Sequence, residues 1–443
     1  MNIQLSEHFN YKKLLRFTLP AIIMMVFTSI YGVVDGFFVS NIVGKVQFTA
    51  VNFIMPFLMI LGAVGFMFGT GGSAIIAKAM GEGDNERAKR HFSLFVYTTF
   101  ISGVVIGLMG IIFIRPVAEF LGAEGELLDN CVRYGRVILI ALPFYMLQYE
   151  FQSFFSTAEK PQLGLAVTIV AGLTNVILDA LFMAAFGWGI VGAAAATAIS
   201  QMVGGIIPVI YFIRPNKSLL RLTKTRPEGR VILRACTNGS SELMSNISMS
   251  IVSMLYNSQL MKYAGEDGVA AYGVLMYVNM IFLAAFIGYS VGTAPITSYN
   301  YGAENIPELK GILKKSVRII IVFAAAMFVL AEVLAVPLAG IFVSYDDALM
   351  SLTTRAFRIF SFAFLCSGFS IYGSSFFTAL GDGLTSALIS FLRTLVFQIS
   401  AVLILPLIFD IDGIWMSIVF AEVVSVVVTF TFIIAKRKKY HYL

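Results

Sequence analysis

Two carboxylates stand in stretches that are otherwise almost wholly apolar: Asp35, and Asp179 with Asn175 four residues before it. Tyr31 precedes Asp35 by the same interval, so on helices each pair lies on one face. Thr197 occurs at a comparable depth in the next apolar stretch. Two carboxylates, an amide and a hydroxyl form an oxygen-rich set. Gathered together they can hold a proton, or a hard cation such as Na+ through oxygen ligands. The plainer alternative is that these groups join helices by hydrogen bonding.

Helix rise supports their convergence. At 1.5 Å per residue, Asp35 sits about 28 Å along a helix starting near Arg16, and Asp179 about 24 Å along one starting near Leu163. Thr197 lies about 9 Å from the outer end of a descending helix. Ionisable groups at such depth are costly and mark function by default. Glu242 reads as a second titrating or cavity-lining group, or as the partner of Arg393. Glu422 reads as packing, whereas Glu150 and Glu332 have no readable partner. Pro20 removes a backbone donor from the first helix and is expected to act as a hinge.

Enzyme chemistry finds no support. No GxxxxGK[ST] cradle or HExxH pair occurs, and His8, His91 and His441 lie outside the apolar stretches or at their ends. Asp410 and Asp412 read as turn residues before Gly413. Cys131, Cys236 and Cys366 are widely spaced, which suggests small apolar side chains rather than a disulfide or zinc site. No catalytic residue and no cofactor are expected. Energy must come from an ion gradient, H+ or Na+, or from the substrate itself.

The elements that would position these residues follow from composition. Hydrophobic residues make up 58% of 443, charged ones 13%, and the mean hydropathy is +0.86. That is more apolar surface than one soluble core could hide. Apolar stretches long enough to cross a bilayer lie near 14–39, 48–79, 91–115, 132–157, 163–186 and 191–213, then near 231–262, 269–299, 312–341, 353–379, 384–409 and 413–435. Gly44 and Gly265, Gly71 and Gly292, Gly81 and Gly302, Pro116 and Pro337, and Gly192 and Gly413 are all 221 positions apart. The chain therefore reads as an all-α integral membrane protein of twelve transmembrane helices in two parallel six-helix repeats. Its expected parts are an N-lobe over 1–213, a connector over 214–230 and a C-lobe over 231–443. At an offset of 221, Asp35 faces Tyr256 and Asp179 faces Ser400, so the acids are not demanded by the repeat itself.

Loop charges set the orientation. Lys12, Lys13, Arg16, the 78–90 loop, Lys160, the 214–234 connector, the 310–318 loop and residues 436–439 place most of the 31 Lys and Arg on one face. Both termini are thus expected in the cytoplasm of a prokaryotic cell, beneath a multi-pass plasma membrane. Topology accounts for the pI of 9.1, so no nucleic-acid partner is expected. Twenty Met and forty Phe could line a plastic pocket, or simply face lipid.

These residues resemble the multidrug and toxic compound extrusion family, in its DinF-like and MepA-like branch. The resemblance spans nearly the whole chain. It rests on Leu19-Pro20 with Asp35 fifteen residues later, on the Gly69-Thr-Gly-Gly-Ser73 to Gly81-Glu-Gly-Asp84 run, and on Asn175-x-x-x-Asp179 with Thr197. It implies a MATE-type fold of two six-helix lobes around a cleft, working by alternating access. The implied function is a cation-coupled antiporter, H+ or Na+, exporting organic and often cationic compounds. Membrane lipid would be its surroundings and a monomer its expected state. Asp35, Asn175, Asp179 and Thr197 would form the coupling site, with Tyr31 and Gln152 as neighbours and Pro20 as the bend. Glu242 resembles one half of a Glu and Asp sodium pair of vibrio-type members, but the tenth helix, Cys366 to Leu380, has no acid to complete it. A lipid-linked saccharide flippase of the same superfold and a channel remain as alternatives.

Overall fold

The computed structural model describes residues 3–343 and 346–442, and within them every regular element is a helix. The first half holds α1 (Tyr11–Phe38), α2 (Lys45–Gly81), α3 (Asn85–Phe120), α4 (Gly125–Thr157), α5 (Pro161–Asp179) and α6 (Gly189–Ile213). The second holds α7 (Gly229–Gly302), α8 (Ile306–Val343), α9 (Asp347–Ser361), α10 (Phe364–Ala379), α11 (Gly383–Phe391), α12 (Gln398–Ile404) and α13 (Pro406–Tyr440).

These elements make twelve crossings. Continuous helix through α7 conceals two, broken at Gly265 where φ is 63° and ψ is −149°. Its repeat partner Gly44, with φ 118°, caps α2 at the corresponding corner. Only glycine adopts such backbone freely, which explains why both copies keep it. The tenth crossing differs from the unbroken helix expected over 353–379. It is bent by 49° between α9 and α10. Residues Leu392–Phe397 form a π-helical turn joining α11 to α12 as the eleventh. Asp410, with φ 49°, makes the turn expected before the twelfth. Side-chain caps also repeat: Asp84 accepts from Arg87 N at 3.0 Å, and Asn305, 221 residues later, accepts from Glu308 N at 3.3 Å.

Packing shows how the halves meet. One large apolar cluster runs from Leu5 and Phe9 through Met67, Phe151, Tyr289 and Tyr372 to Tyr442, uniting both halves at the end that carries both termini and the connector. At the opposite end the apolar residues divide into two clusters. One lies within 39–194 and the other within 252–415. The lobes are therefore closed at the connector end and separate at the far end.

Glycines make that closure possible. A Cβ on Gly71 would lie 2.1 Å from Ala235 O, and one on Gly239 would lie 2.0 Å from Met67 O. A Cβ on Gly81 would meet Tyr299 O at 2.0 Å, and one on Gly302 would meet Lys78 O at 2.3 Å. Tyr299 is the repeat partner of Lys78, and Gly302 that of Gly81, so each half gives the other the same contact. Small residues let helices approach where lipid supplies no hydrophobic drive. Residues before α1 add a strap across the seam. Leu5 N donates to Glu159 Oε1 at 2.7 Å in the first half, and Phe9 N to Glu308 Oε1 at 2.9 Å in the second.

Candidate functional site

Two helix faces meet around the acids. Phe27, Tyr31 and Asp35 recur every four residues on α1, while Gly172, Asn175 and Asp179 share a face of α5. A Cβ at Gly172 would lie 2.6 Å from the Phe27 ring and 3.1 Å from Tyr31, so glycine there brings the faces together. Asp35 and Asp179 then face each other, with Asn175 beside Asp35. Asn175 Nδ2 donates to Thr197 Oγ1 at 3.5 Å, which ties in α6. All four residues named from the sequence are thus brought to one place.

The surroundings are dry. Asp179 is wholly buried and Asp35 is 9% exposed. Neither oxygen of Asp179, nor Oδ1 of Asp35, has a hydrogen-bond partner in ordinary geometry. Two like charges buried together are costly unless a proton or a cation joins them. π-Helical turns follow each acid closely, over Val39–Val43 after Asp35 and over Ala180–Ala185 after Asp179. Such turns widen a helix locally and recur at functional sites.

Tyrosines missed in the sequence complete the wall. Tyr134 of α4 meets Thr197 and lies within electrostatic reach of both acids. Tyr31 meets Gln148, and the Tyr145 hydroxyl donates to that of Tyr149 at 3.1 Å. Gln148 therefore stands beside Tyr31. Gln152 is buried one turn nearer the connector end, its Oε1 unpaired. Nothing in the sequence showed which turn of α4 faces α1.

The remaining charges find their places. Arg393 grips Glu422 bidentately at 2.8 to 3.0 Å, so its partner is Glu422 and not Glu242. That correction has a simple cause: α13 packs against the π-turn carrying Arg393. Glu150 is wholly buried and accepts from Thr99 Oγ1 at 3.0 Å, while Glu332 accepts from the Ser361 hydroxyl. Glu242 lines a chamber between the lobes. Pro20 lies inside an unbroken α1, where Thr18 Oγ1 bonds Leu14 O at 3.0 Å.

Comparison with known proteins places this arrangement. The MatE family model matches twice, over residues 20–181 and 243–404, once in each half. Multidrug export protein MepA of Staphylococcus saprophyticus is 26% identical over 415 residues, covering 94% of this chain and 91% of that protein. MepA of Staphylococcus aureus is 23% identical over 417 residues, covering 93% of this chain and 91% of that protein. Among solved structures, a MATE family transporter of the MOP superfamily in an outward-facing conformation superposes with a TM-score of 0.93. It is 24% identical and covers 99% of this chain and 98% of its own. With matches to both halves spanning most of its length, the chain belongs to the MATE family of membrane transporters.

Proposed function

We propose that this protein is a multidrug efflux transporter that exchanges H+ or Na+ for organic, often cationic, compounds. One observation carries the reading: Asp35 and Asp179 are buried face to face with unpaired oxygens, beside Asn175 and Thr197. A proton bridging the carboxyls, or Na+ ligated by the four oxygen-bearing side chains, satisfies that set, and its loss leaves a charge that must be solvated. The coupling ion thus favours different arrangements of α1 and α5 according to whether it is bound. Closure at the connector end with separation at the far end fits an outward-facing state in which such an ion exchanges with the outside. With the termini cytoplasmic, residues 1–213 and 231–443 would be the two lobes, and Pro20 the bend of α1. The export of drugs is in keeping with the named activity of the MepA relatives.

A flippase would need basic groups in the cavity to hold phosphate, and Arg393 is already engaged by Glu422. Reconstituted vesicles test the proposal: efflux of a cationic dye should follow an imposed pH gradient, a Na+ gradient or both, and Asp35→Asn should remove that dependence. Dye movement indifferent to both gradients would refute coupling.

A further inference from the structure

At the connector end a cavity opens where α2 and α3 of the first half meet α7 and the end of α10 of the second. Lys78, Glu82, Arg87, His91, Arg234 and Asn238 supply its polar lining. The space open to water within it is about 120 Å³, ample for a phosphate group of five non-hydrogen atoms.

Its counterpart in the other half is covered by the chain itself. At the repeat interval Arg87 corresponds to Glu308, Leu380 to Glu159, Arg234 to Lys13 and Asn238 to Phe17. Residues 5–10 lie across all four of those partners. Leu5 N donates to Glu159 and Phe9 N to Glu308, the Phe9 ring meets Phe17 edge-on, and Asn10 Oδ1 accepts from Lys13 N. No such strap covers the cavity. α1 begins at Tyr11, whose partner is Ile232, whereas α7 begins at Gly229. The connector before it is held against α6 and α3, with Leu222 N on Phe212 O and Thr223 N on Ser93 Oγ.

The chemistry is exchanged as well. Where the covered copy offers Glu159 and Glu308 to backbone N–H groups, the open copy offers cations. Glu82 engages Arg87 and lies 3.8 Å from Lys78, and Asp84 reaches Arg87 at 3.5 Å. Arg234 comes from the other half, and among the described residues its guanidinium has no ion-pair partner. His91 and Asn238 are 8% and 3% exposed, and Nδ1 of the first and Oδ1 of the second are buried without hydrogen-bond partners. Charged donors converging from several sides suit phosphate oxygens, and guanidinium matches them best. Closing the connector end brings Arg234 toward Lys78 and Arg87, a like-charge approach that an anion between them offsets.

We propose that this cavity binds a phosphate group and that the bound anion favours the closed connector end, because its ligands come from both halves. Free phosphate and an anionic phospholipid headgroup both present that chemistry.

Two arms test it on the purified protein in nanodiscs at constant ionic strength. In phosphatidylcholine discs, inorganic phosphate is titrated and its binding followed by phosphorus NMR line broadening. In phosphate-free buffer, discs containing phosphatidylglycerol are compared with phosphatidylcholine alone by native mass spectrometry of retained lipid. At least one arm should show binding, and that arm identifies the source. There Arg234→Gln should lower affinity about tenfold, and Arg234→Lys should keep part of it. Lys314→Gln, which removes an exposed cation outside the cavity, should leave affinity unchanged. Spin labels at Glu86 and Lys310 should show the closed connector end more populated with the anion, and Arg234→Gln should remove that shift. Binding in neither arm, unaltered binding in Arg234→Gln, or an equal loss in Lys314→Gln would each overturn the site. Binding without any change in the distance distribution would overturn its role in closure. Asp35 and Asp179 take no part in either arm, so failure here leaves the export reading standing.

Discussion

Gly71→Ala tests the closed seam directly. Its Cβ would lie 2.1 Å from Ala235 O, so about 1.3 Å of separation is needed to restore the 3.4 Å of ordinary contact. The neighbour is backbone, which cannot rotate away as a side chain could. Overpacking of this kind costs about 1–3 kcal/mol. Because the clash exists only while the connector end is closed, that energy falls on one conformation, and the balance between closed and open shifts about 5- to 150-fold toward opening. Spin labels at Glu86 and Lys310 report the connector end by pulsed dipolar spectroscopy, and labels at Glu124 and Asp346 report the far end. All four positions are exposed. In Gly71→Ala the first distance should lengthen and the second shorten, and dye efflux should slow. Gly273→Ala, where a Cβ meets nothing within 4 Å, should change neither. Unaltered distance distributions in Gly71→Ala would refute the idea that these glycines hold the seam.

Other outcomes are expected. Asp179→Asn should abolish gradient-driven efflux while leaving an inserted, folded protein, and full coupled transport would remove the α1 and α5 site from the mechanism. Glu332→Gln should retain near wild-type efflux, since the amide oxygen still accepts from Ser361. Pro20→Ala should slow dye transport more than it weakens equilibrium dye binding; a loss explained wholly by weaker binding would leave Pro20 as a tolerated packing feature. Single cysteines replacing exposed Lys217 and Asp346 in a cysteine-free background should label from inside and outside respectively, and labelling of both from one side would overturn the topology. Ser218, although in the same connector, is buried and donates to Ala158 O, so it would report poorly.

The architecture was legible because its signals are periodic. Apolar length gave the crossings, and the glycine spacing gave the repeat, down to Gly44 and Gly265 at matching corners. Asp35, Asn175, Asp179 and Thr197 were legible because charge and amide groups at membrane depth stand out against an apolar background. What stayed hidden depended on rotation about helix axes. Tyr134 and Gln148 complete the site, but tyrosine and glutamine at those positions look like any others on α4. Arg393 could not be matched to Glu422 over Glu242 from sequence, because separation along the chain carries no information about which helix faces the π-turn. Helix breaks were half readable: the Asp410 turn was visible, whereas the bend between α9 and α10 contains neither glycine nor proline at Phe362 and Ala363.

The reciprocal contacts of Gly81 with Tyr299 and of Gly302 with Lys78 have the form of an isologous interface, in which residue i touches j and j touches i. A two-fold dimer of a single six-helix unit would make them necessarily, with every substitution appearing twice. Fusion of two copies into one polypeptide removes that constraint. The Asp35 and Asp179 pair can then stand on one side of the axis and Arg393 on the other, while the seam both sides share keeps its original symmetry. Each half of the seam can also be altered alone, so the asymmetry of the transport cycle can be dissected by single substitutions that no homodimer would permit.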